Sequence, residues 1–264
     1  MLVRVYQFLL TTALLIVASL SQAVDVKVEF SAEAVQIAPQ RPTVVARMFV
    51  SKKAVRTESK INNQELVEIV FPEEGRRIML FPQQQNYVEQ TGMPKKSSAV
   101  SQEKNFNPCT GVPDTECKKL GKEKVQGRQA EKWEIIAKRE GKTLRSLHWI
   151  DVKRKMPLRE SYADGSFSEL KLLKKEKLNG RKTEIWQLDM TRGDGKRMSS
   201  KQWYDTQLKM MIREELPGGY VRELRNIKVS KQAKKLFEIP NGYQRRPAPS
   251  AAPVGMSSGI PAKP

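Results

Sequence analysis

The single histidine of the chain, His148, is the first residue to consider for chemistry. It stands between Leu147 and Trp149 in a predicted strand, where consecutive side chains point to opposite faces. Nucleophilic catalysis needs a serine or cysteine within hydrogen-bond reach of such a base, and we identify no such partner beside His148 in the sequence. We therefore expect a structural or surface histidine.

Other residue types also fail to form a catalytic pattern. The glutamate pairs at 73–74 and 214–215 are adjacent, so in strands they point to opposite faces and cannot share a substrate. The adhesion tripeptide Arg-Gly-Asp at 192–194 falls on a predicted hairpin turn, which needs glycine and aspartate anyway. The chain has neither a phosphate-binding glycine loop nor His/Cys clusters at metal spacing. We predict no enzyme, no cofactor and no metal site.

The two cysteines, Cys109 and Cys117, flank a short segment that contains glycine and proline. In an exported protein such a pair is more often a disulfide than two free thiols. The spacing is not that of a Cys-x-x-Cys redox or metal motif. We predict a disulfide that pins a loop.

The elements that must position these residues are repeated within residues 118–229. The segment 124–128, followed by Trp133, returns 53 residues later as 177–181, followed by Trp186. After one inserted residue the match continues at a spacing of 54, in the pairs Trp149 and Trp203, Asp151 and Asp205, Arg159 and Arg213, Glu160 and Glu214, Gly165 and Gly219, Glu169 and Glu223, and Leu170 and Leu224. This agreement indicates two copies of one supersecondary unit.

Each copy has the pattern of an antiparallel meander. Glycine-containing turns, for example at 126–127 and 179–180, favour the positive φ angles of tight hairpins. Between the turns, Trp133 shares a face with Ile135, and the second copy repeats this period of two. We predict a mainly β fold, in which an extended antiparallel meander curls into an unclosed half barrel.

The flanking segments complete this prediction. Alternation at 24–30, continued at 35–37, predicts a first strand, and further strands are predicted at 43–50, 64–71, 76–81 and 86–90. Residues 91–116 lose the apolar period and are predicted to form a partly ordered flap over the sheet. A short helix is predicted over 230–237, capped by Ser230 and ended by Pro240. The Pro/Ala/Ser-rich residues 244–264 are predicted to be a disordered tail, which leaves one β domain over 24–243.

The first 23 residues have the pattern of a secretory signal peptide. A short basic start precedes an apolar run at 8–20, and Ser21-Gln22-Ala23 is a small-x-small cleavage site. The apolar run is too short for a bilayer span, which takes about 20 residues. We expect cleavage after Ala23 and a periplasmic protein. No cysteine follows the site, so we do not expect a lipoprotein.

The chain carries a formal net charge of +19. A charge of this size attracts anionic partners without identifying them. An alternative is that the lysines cover a solvated sheet face and protect its edges from strand-to-strand aggregation. The basic runs lack interleaved aromatic residues, and an exported protein does not normally meet nucleic acid, so we expect no nucleic-acid partner.

Several of these residues together resemble a known family. The pair Cys109/Cys117, the segment 119–128 and the closing Leu-Phe-Glu-Ile-Pro-Asn-Gly-Tyr at 236–243 resemble bacterial periplasmic proteins of the lipoprotein-carrier (LolA/LolB-like) superfamily, especially its uncharacterised exported relatives. The resemblance implies an unclosed antiparallel barrel with a hydrophobic concave face, which in the carrier holds the acyl chains of lipoproteins. The lid helices of that fold are poorly represented here, and no ligand-release residue of the carrier maps onto this chain.

Two functional interpretations remain open. In the first, the protein is a periplasmic, non-enzymatic binding protein that takes a lipid, an acylated protein or another amphiphile on the concave face. In the second, the basic surface docks on lipopolysaccharide, another anionic polymer or an acidic envelope protein. The apolar residues predicted to line the concave face, unless they are simply core, are Trp133, Ile135, Leu147, Trp149, Trp186, Leu188, Trp203 and Ile212.

Overall fold

The computed structural model describes residues 28–93, 106–110, 112–139 and 141–247. Within them the chain forms a single 16-stranded sheet and two short 3-10 turns, Pro82–Gln84 and Lys234–Phe237. The strands are β1 (Phe30–Ile37), β2 (Val44–Val50), β3 (Val55–Ile61), β4 (Gln64–Phe71), β5 (Arg76–Phe81), β6 (Asn86–Gln90), β7 (Thr115–Val125), β8 (Arg128–Arg139), β9 (Lys142–Asp151), β10 (Pro157–Tyr162), β11 (Phe167–Leu178), β12 (Arg181–Thr191), β13 (Arg197–Asp205), β14 (Met210–Leu216), β15 (Tyr220–Val229) and β16 (Gln244–Arg246).

The sheet is an unclosed meander. Its order is β16-β6-β5-β4-β3-β2-β1-β15-β14-β13-β12-β11-β10-β9-β8-β7, so that β1 joins the N-terminal strands to the repeat through β15. All neighbouring strands are antiparallel except β16, which runs parallel to β6. The outer strands are β16 and β7, and β7 exposes a series of lysines along its length. The predicted mainly β, unclosed antiparallel fold is confirmed.

The sequence repeat is also a structural repeat. Strands β8, β9, β10 and β11 of the first copy correspond to β12, β13, β14 and β15 of the second, at the same spacings of 53 and 54 residues. In the first copy, Asp151 accepts the backbone N–H groups of Lys153 at 2.8 Å and Arg154 at 2.7 Å, together with Nε of Arg128 at 2.6 Å. Burial alone would raise the pKa of Asp151, but these donors outweigh it and hold the pKa below its ordinary value.

The second copy repeats the same bonds. Asp205 accepts the backbone N–H groups of Gln207 and Leu208, each at 2.8 Å, and Nε of Arg181. Both carboxylates are almost fully buried, and each closes the turn that follows its strand. Each copy therefore folds around a buried aspartate with the same three donors.

The sheet is curled rather than flat. The guanidinium of Arg154, in the turn between β9 and β10, lies 5.0 Å from the ring centroid of Tyr204 on β13, although strands three places apart in a flat sheet are separated by about 14 Å. Register shifts in β7 near Gly121, in β11 near Leu173 and in β15 near Asn226 supply the bends, because a β-bulge increases the local twist.

Three apolar clusters make up the core of the described residues. The first joins the N-terminal strands to the second copy, and its buried members are Phe30, Ala32, Ala34, Ala46, Met48, Val50, Ile185, Trp203, Leu208, Met210, Ile212 and Leu224. The second lies on β4 and β5, with Ala54, Val67, Ile69, Phe71, Ile78 and Leu80. The third joins the two copies, with Val125, Ala130, Trp149, Leu158, Leu170 and Trp186. Apolar burial is thus spread along the sheet.

The predicted C-terminal helix is present only as a short 3-10 turn. The helical hydrogen bonds are limited to the 3-10 turn Lys234–Phe237, preceded by Ala233 in an extended conformation, and Ser230 does not cap it. Phe237, Ile239 and Tyr243 pack against the β4–β5 cluster instead. Because these apolar side chains must all reach one sheet face, an extended path buries them where a helix would not. The first three residues of the predicted tail then form β16.

Other expectations have mixed outcomes. The strands predicted from 43 to 90 are found with small changes at their ends, but β3 lies between two of them and was not predicted. The signal peptide, residues 24–27 of the first predicted strand, residues 94–105 of the flap and the tail beyond 247 lie outside the described residues. Among the described residues no helix is long and apolar enough to cross a membrane.

The predicted disulfide is confirmed. Cys109 and Cys117 are bonded, with their Cα atoms 5.7 Å apart. The loop before the bridge packs on the sheet, because the ring of Phe106 meets the ring of Trp133 edge to face, with centroids 6.5 Å apart. The described end of the predicted flap therefore lies against β8.

Candidate functional site

One face of the repeat presents a continuous row of directly opposed residues. Residues directly opposite each other in antiparallel strands share a face, and the register links, from β7 to β13, Lys119, Trp133, His148, Glu160, Ser168, Met190 and Met198. We call the side of β7–β13 that carries this row the His148 face, and the opposite side the Trp149 face. These two faces divide the residues predicted to bind a ligand.

Four of the eight predicted residues lie on the His148 face. Ile135 and Leu188 are two residues along their strands from members of the row, Trp133 is in the row, and Trp186 is opposite Leu172 on the same side. By register, Leu147, Trp149 and Trp203 lie on the Trp149 face, and Ile212 occupies the irregular part of β14 where the register shifts. Trp149 and Leu147 nevertheless pack in the same apolar cluster as Trp186 and Leu188. Trp203 and Ile212 pack in the cluster that joins the second copy to the N-terminal strands.

The tryptophans of the Trp149 face have structural partners. Trp149 donates from Nε1 to Glu123 at 2.7 Å, and the guanidinium of Arg159 lies 5.6 Å from its ring centroid. The second copy has the same arrangement, with Trp203, Glu176 and Arg213 at 2.9 and 5.2 Å. An indole that is covered by an arginine and hydrogen-bonded to a carboxylate stabilises the repeat and offers no free surface to a ligand.

The His148 face is apolar and partly open. Trp186 is fully buried on this face, and Trp133 is almost fully buried. Towards the ends of the strands, Tyr162 is 41% exposed and Met198 37% exposed. Half-buried apolar side chains lie around them, at Ile135, Leu188 and Met190. The side chains of this face are therefore buried around Trp133 and Trp186 and accessible around Tyr162 and Met198.

A polar network lies in the middle of this region. Ser146 Oγ is 2.9 Å from Nε2 of His148, whose Nδ1 is 3.2 Å from Oε1 of Glu160. Ser168 donates its hydroxyl to Oε2 of Glu160 at 2.9 Å. The rings of His148 and Tyr162 meet edge to face, with centroids 5.7 Å apart. Ser146 was not predicted as a partner of His148, although residues two apart in a strand share a face.

The protonation states of Glu160 and Tyr162 follow from the groups around them. The hydrogen bond from His148 lowers the pKa of Glu160, burial opposes it, and bonds from Ser168 and Tyr162 add to the lowering, so the carboxylate is ionised at neutral pH. An ionised carboxylate only accepts hydrogen bonds, so the Nδ1 of His148 that faces Glu160 is a donor. The other ring nitrogen, Nε2, faces Ser146. Burial, followed by the charge of Glu160, raises the pKa of Tyr162, which keeps its phenol protonated.

A basic hairpin turn lies at the same end of the sheet as the open apolar region. Arg192 and Lys196 lie in the β12–β13 turn at this end and are 63% and 75% exposed, and Asp194 pairs with both. Arg145, which pairs with Glu134, lies within β9 on the Trp149 face. The end of the His148 face therefore combines exposed cations with exposed apolar side chains.

Comparison with known proteins was made by sequence and by structure. No protein-family model matches the chain, and no curated protein matches it. Solved structures similar to this chain include a LolA superfamily protein. That protein, from Nitrosomonas europaea, is 13% identical, and the match covers 84% of this chain and 97% of that one with a TM-score of 0.34. The hypothetical lipoprotein YmcC from Escherichia coli is 11% identical, with coverages of 76% and 87% and a TM-score of 0.28.

A third match is the MucA/MucB complex of Pseudomonas aeruginosa, at 12% identity, coverages of 82% and 98% and a TM-score of 0.22. Within the described ranges, no group of three or more His, Cys, Asp and Glu residues could hold a metal ion.

Proposed function

We propose that the protein is a periplasmic binding protein for an acyl-chain amphiphile with an anionic head group. The acyl chain would lie on the open region of the His148 face, against Ile135, Tyr162, Leu188, Met190 and Met198. The observation that carries the proposal is the exposure of Tyr162 and Met198 beside half-buried apolar neighbours on this face. A contiguous exposed apolar patch on a folded protein is typical of a binding site, whereas single exposed apolar residues are not.

The energetics support a single acyl chain as the occupant. Each methylene group removed from water contributes about 0.8 kcal/mol. About eight buried methylenes would therefore supply roughly 6 kcal/mol before the cost of ordering the chain. Apolar contact along one strand length of the His148 face is sufficient for useful affinity.

The basic β12–β13 turn favours an anionic head group. Arg192 and Lys196 are exposed at the end of the sheet towards which the apolar region opens, and both pair with Asp194. A phosphate or carboxylate at that end could accept charge-assisted hydrogen bonds from these cations, which are already hydrated, at little desolvation cost. The net charge of +19 would also attract such a ligand from a distance.

The periplasmic location rests on the first 23 residues, whose pattern predicts export and cleavage after Ala23. A disulfide between Cys109 and Cys117 is consistent with an oxidising compartment. N-terminal sequencing of the mature protein from the periplasmic fraction tests this part of the proposal. A mature protein that begins at Met1 would contradict it.

Displacement of a fluorescent fatty acid from the purified, delipidated protein tests the binding site. Met198→Asp places a charge on the apolar region and should weaken probe binding about tenfold. Phe167→Asp is the matched control, because Phe167 is 36% exposed but lies on the Trp149 face. Equal loss in both variants, or no probe binding by the native protein, would reject the site. Mass spectrometry of lipid extracted from the periplasmic protein would identify the natural occupant.

A second candidate is docking of the basic surface on an anionic polymer such as lipopolysaccharide. The net charge and the exposed lysines of β7 favour it. Binding that depends on several charge contacts weakens by orders of magnitude between low and high salt. Probe binding that persists at high salt, together with a strong effect of Met198→Asp, would favour the acyl-chain site.

A further inference from the structure

We propose that Ser146, His148 and Glu160 form a nucleophilic site that hydrolyses carboxylic esters of acyl chains. This inference goes beyond the binding role and does not depend on it, because the three residues can be tested with a small soluble ester. It also replaces the expectation, drawn from the sequence, that His148 has no nucleophile beside it.

The order of contacts is that of a serine hydrolase. Ser146 Oγ meets Nε2 of His148 at 2.9 Å, and Nδ1 of the same ring meets Glu160 at 3.2 Å. Such sites are recognised in unrelated folds by this order of contacts. The nucleophile meets one ring nitrogen of the histidine, and an orienting carboxylate meets the other. Ser146 and His148 lie on β9, and Glu160 is directly opposite His148 on β10. The rigid ladder of two paired strands therefore sets the geometry.

Ser146 is accessible from the apolar region. It is half-buried, directly opposite Ile135 on one side and Tyr162 on the other. His148 retains 14% of its side-chain exposure and Glu160 retains 26%. A substrate with its acyl chain on the His148 face could therefore bring its carbonyl carbon to the serine oxygen. The substrate class follows from the lining, which is apolar and suits an acyl ester.

The reaction balances with water as its second substrate. Ser146 Oγ attacks the ester carbonyl while His148 Nε2 takes the hydroxyl proton, and Glu160 stabilises the imidazolium through Nδ1–H. The tetrahedral intermediate expels the alcohol, which takes the proton from Nε2. Water, deprotonated by the same nitrogen, then attacks the acyl carbon, the bond to Ser146 Oγ breaks and Oγ takes the proton back from Nε2. The products are a carboxylic acid and an alcohol. No metal, oxidant or cofactor is consumed.

Tyr162 supplies a hydroxyl beside the site. It lies directly opposite Ser146 and also borders His148. Its hydroxyl bonds to Glu160 and lowers the pKa of that carboxyl, so we assign Tyr162 the role of holding Glu160 in place beside His148. Tyr162→Phe keeps the ring contact and removes this bond, so it should lower kcat about tenfold with little change in KM.

A structural role for the network would give different results. Ser168 also donates to Glu160, so the hydrogen bonds alone could serve to satisfy a carboxylate in an apolar region. In that case Ser146 would react no faster than an ordinary serine. The test must therefore read the reactivity of Ser146 directly, as well as stability.

The experiment combines covalent labelling with turnover. The full mature protein is treated with a fluorophosphonate, and the modified residue is identified by peptide mass spectrometry, while hydrolysis of p-nitrophenyl butyrate is followed in parallel. We expect label on Ser146 and a loss of at least 100-fold in both readouts for Ser146→Ala and His148→Gln. The control Ser161→Ala, on the same hairpin but on the Trp149 face, should keep both.

Each other outcome overturns the proposal. Native protein that neither takes the label nor hydrolyses the ester contradicts it, as does label on a different serine or full activity in Ser146→Ala. Loss of labelling in Ser161→Ala would show that the signal reports general structure. Unchanged thermal unfolding of Ser146→Ala separates loss of the nucleophile from loss of the fold. Displacement of the fatty-acid probe is measured separately, so binding without hydrolysis rejects this inference and leaves the binding role intact.

Discussion

The guanidinium of Arg128 donates from Nε to the buried carboxylate of Asp151 at 2.6 Å. Arg181 has the same relationship to Asp205 in the second copy. Each aspartate also accepts two backbone N–H groups of the following turn. The two copies therefore share the hydrogen bonds that close this turn as well as an apolar pattern.

Replacement of either aspartate by asparagine should destabilise the protein by about 3 kcal/mol, because an arginine and two turn amides lose a buried charged acceptor. The two effects should add in Asp151→Asn/Asp205→Asn, since the two sites share no partner. Urea unfolding measures both. Asp189→Asn, at an exposed position on β12, serves as the control and should change the stability by less than about 0.5 kcal/mol. An equally large effect at Asp189 would contradict the role of the buried turns.

The same carboxylate predicts the direction of acid sensitivity. Burial would raise the pKa of Asp151, but the bonds from Arg128, Arg154 and Lys153 lower it overall, so the native state binds this proton more weakly than the unfolded state. The stabilisation is present above the unfolded pKa of about 3.9 and is lost as pH falls through the lower native value. In Asp151→Asn, the slope of stability against pH below pH 4 should decrease by up to about 1.4 kcal/mol per unit. An unchanged slope would contradict the assignment.

Removal of the disulfide should loosen the loop over Trp133. Cys109→Ser/Cys117→Ser should lower the free energy of unfolding by about 2.6 kcal/mol, the loop-entropy estimate for a nine-residue ring. Because Phe106 precedes the bridge and packs on Trp133, we also expect a red shift of the tryptophan emission. The shift should disappear when the same change is made in Trp133→Phe. If the red shift persists in the Trp133→Phe background, it arises from another tryptophan.

Trp186 should be the most costly tryptophan to remove. It is fully buried in the cluster that joins the two copies, so Trp186→Ala should cost about 3–5 kcal/mol in urea unfolding. Phe167→Ala removes an aromatic ring that is 36% exposed and should cost about 1 kcal/mol or less. Equal costs would show that the cluster does not hold the copies together.

Much of the fold follows from local patterns in the sequence. Alternating apolar residues and glycine turns place most strands, because both reflect the geometry of a two-sided antiparallel sheet. β3 escaped prediction because its sequence, Val-Arg-Thr-Glu-Ser-Lys-Ile, is largely polar and is held by ladder bonds to β2 and β4. The helix predicted over 230–237 is reduced to one 3-10 turn because tertiary packing overrides a short local propensity.

The candidate site was less accessible to sequence reasoning. The alternation correctly groups Trp133 with Ile135 and Trp186 with Leu188, but the faces of different strands can be compared only once the register is known. Trp149 is one residue from His148 and thus lies on the other face. Glu160 lies 12 positions after His148 and reaches it only through strand pairing. The serine two residues before His148 was visible, and the period of two would have placed it on the histidine's face.

The positions of β7 and β16 at the two ends of the sheet bear on self-association. Fibrils grow when unpaired strand edges of successive molecules dock together. Here one outer strand is only Gln244–Arg246, too short to template a partner, and the other carries Lys118, Lys119, Lys122 and Lys124. Two such lysine-rich strands repel each other at physiological ionic strength, where charges within about 8 Å still interact. A large open sheet can therefore remain dispersed at high concentration.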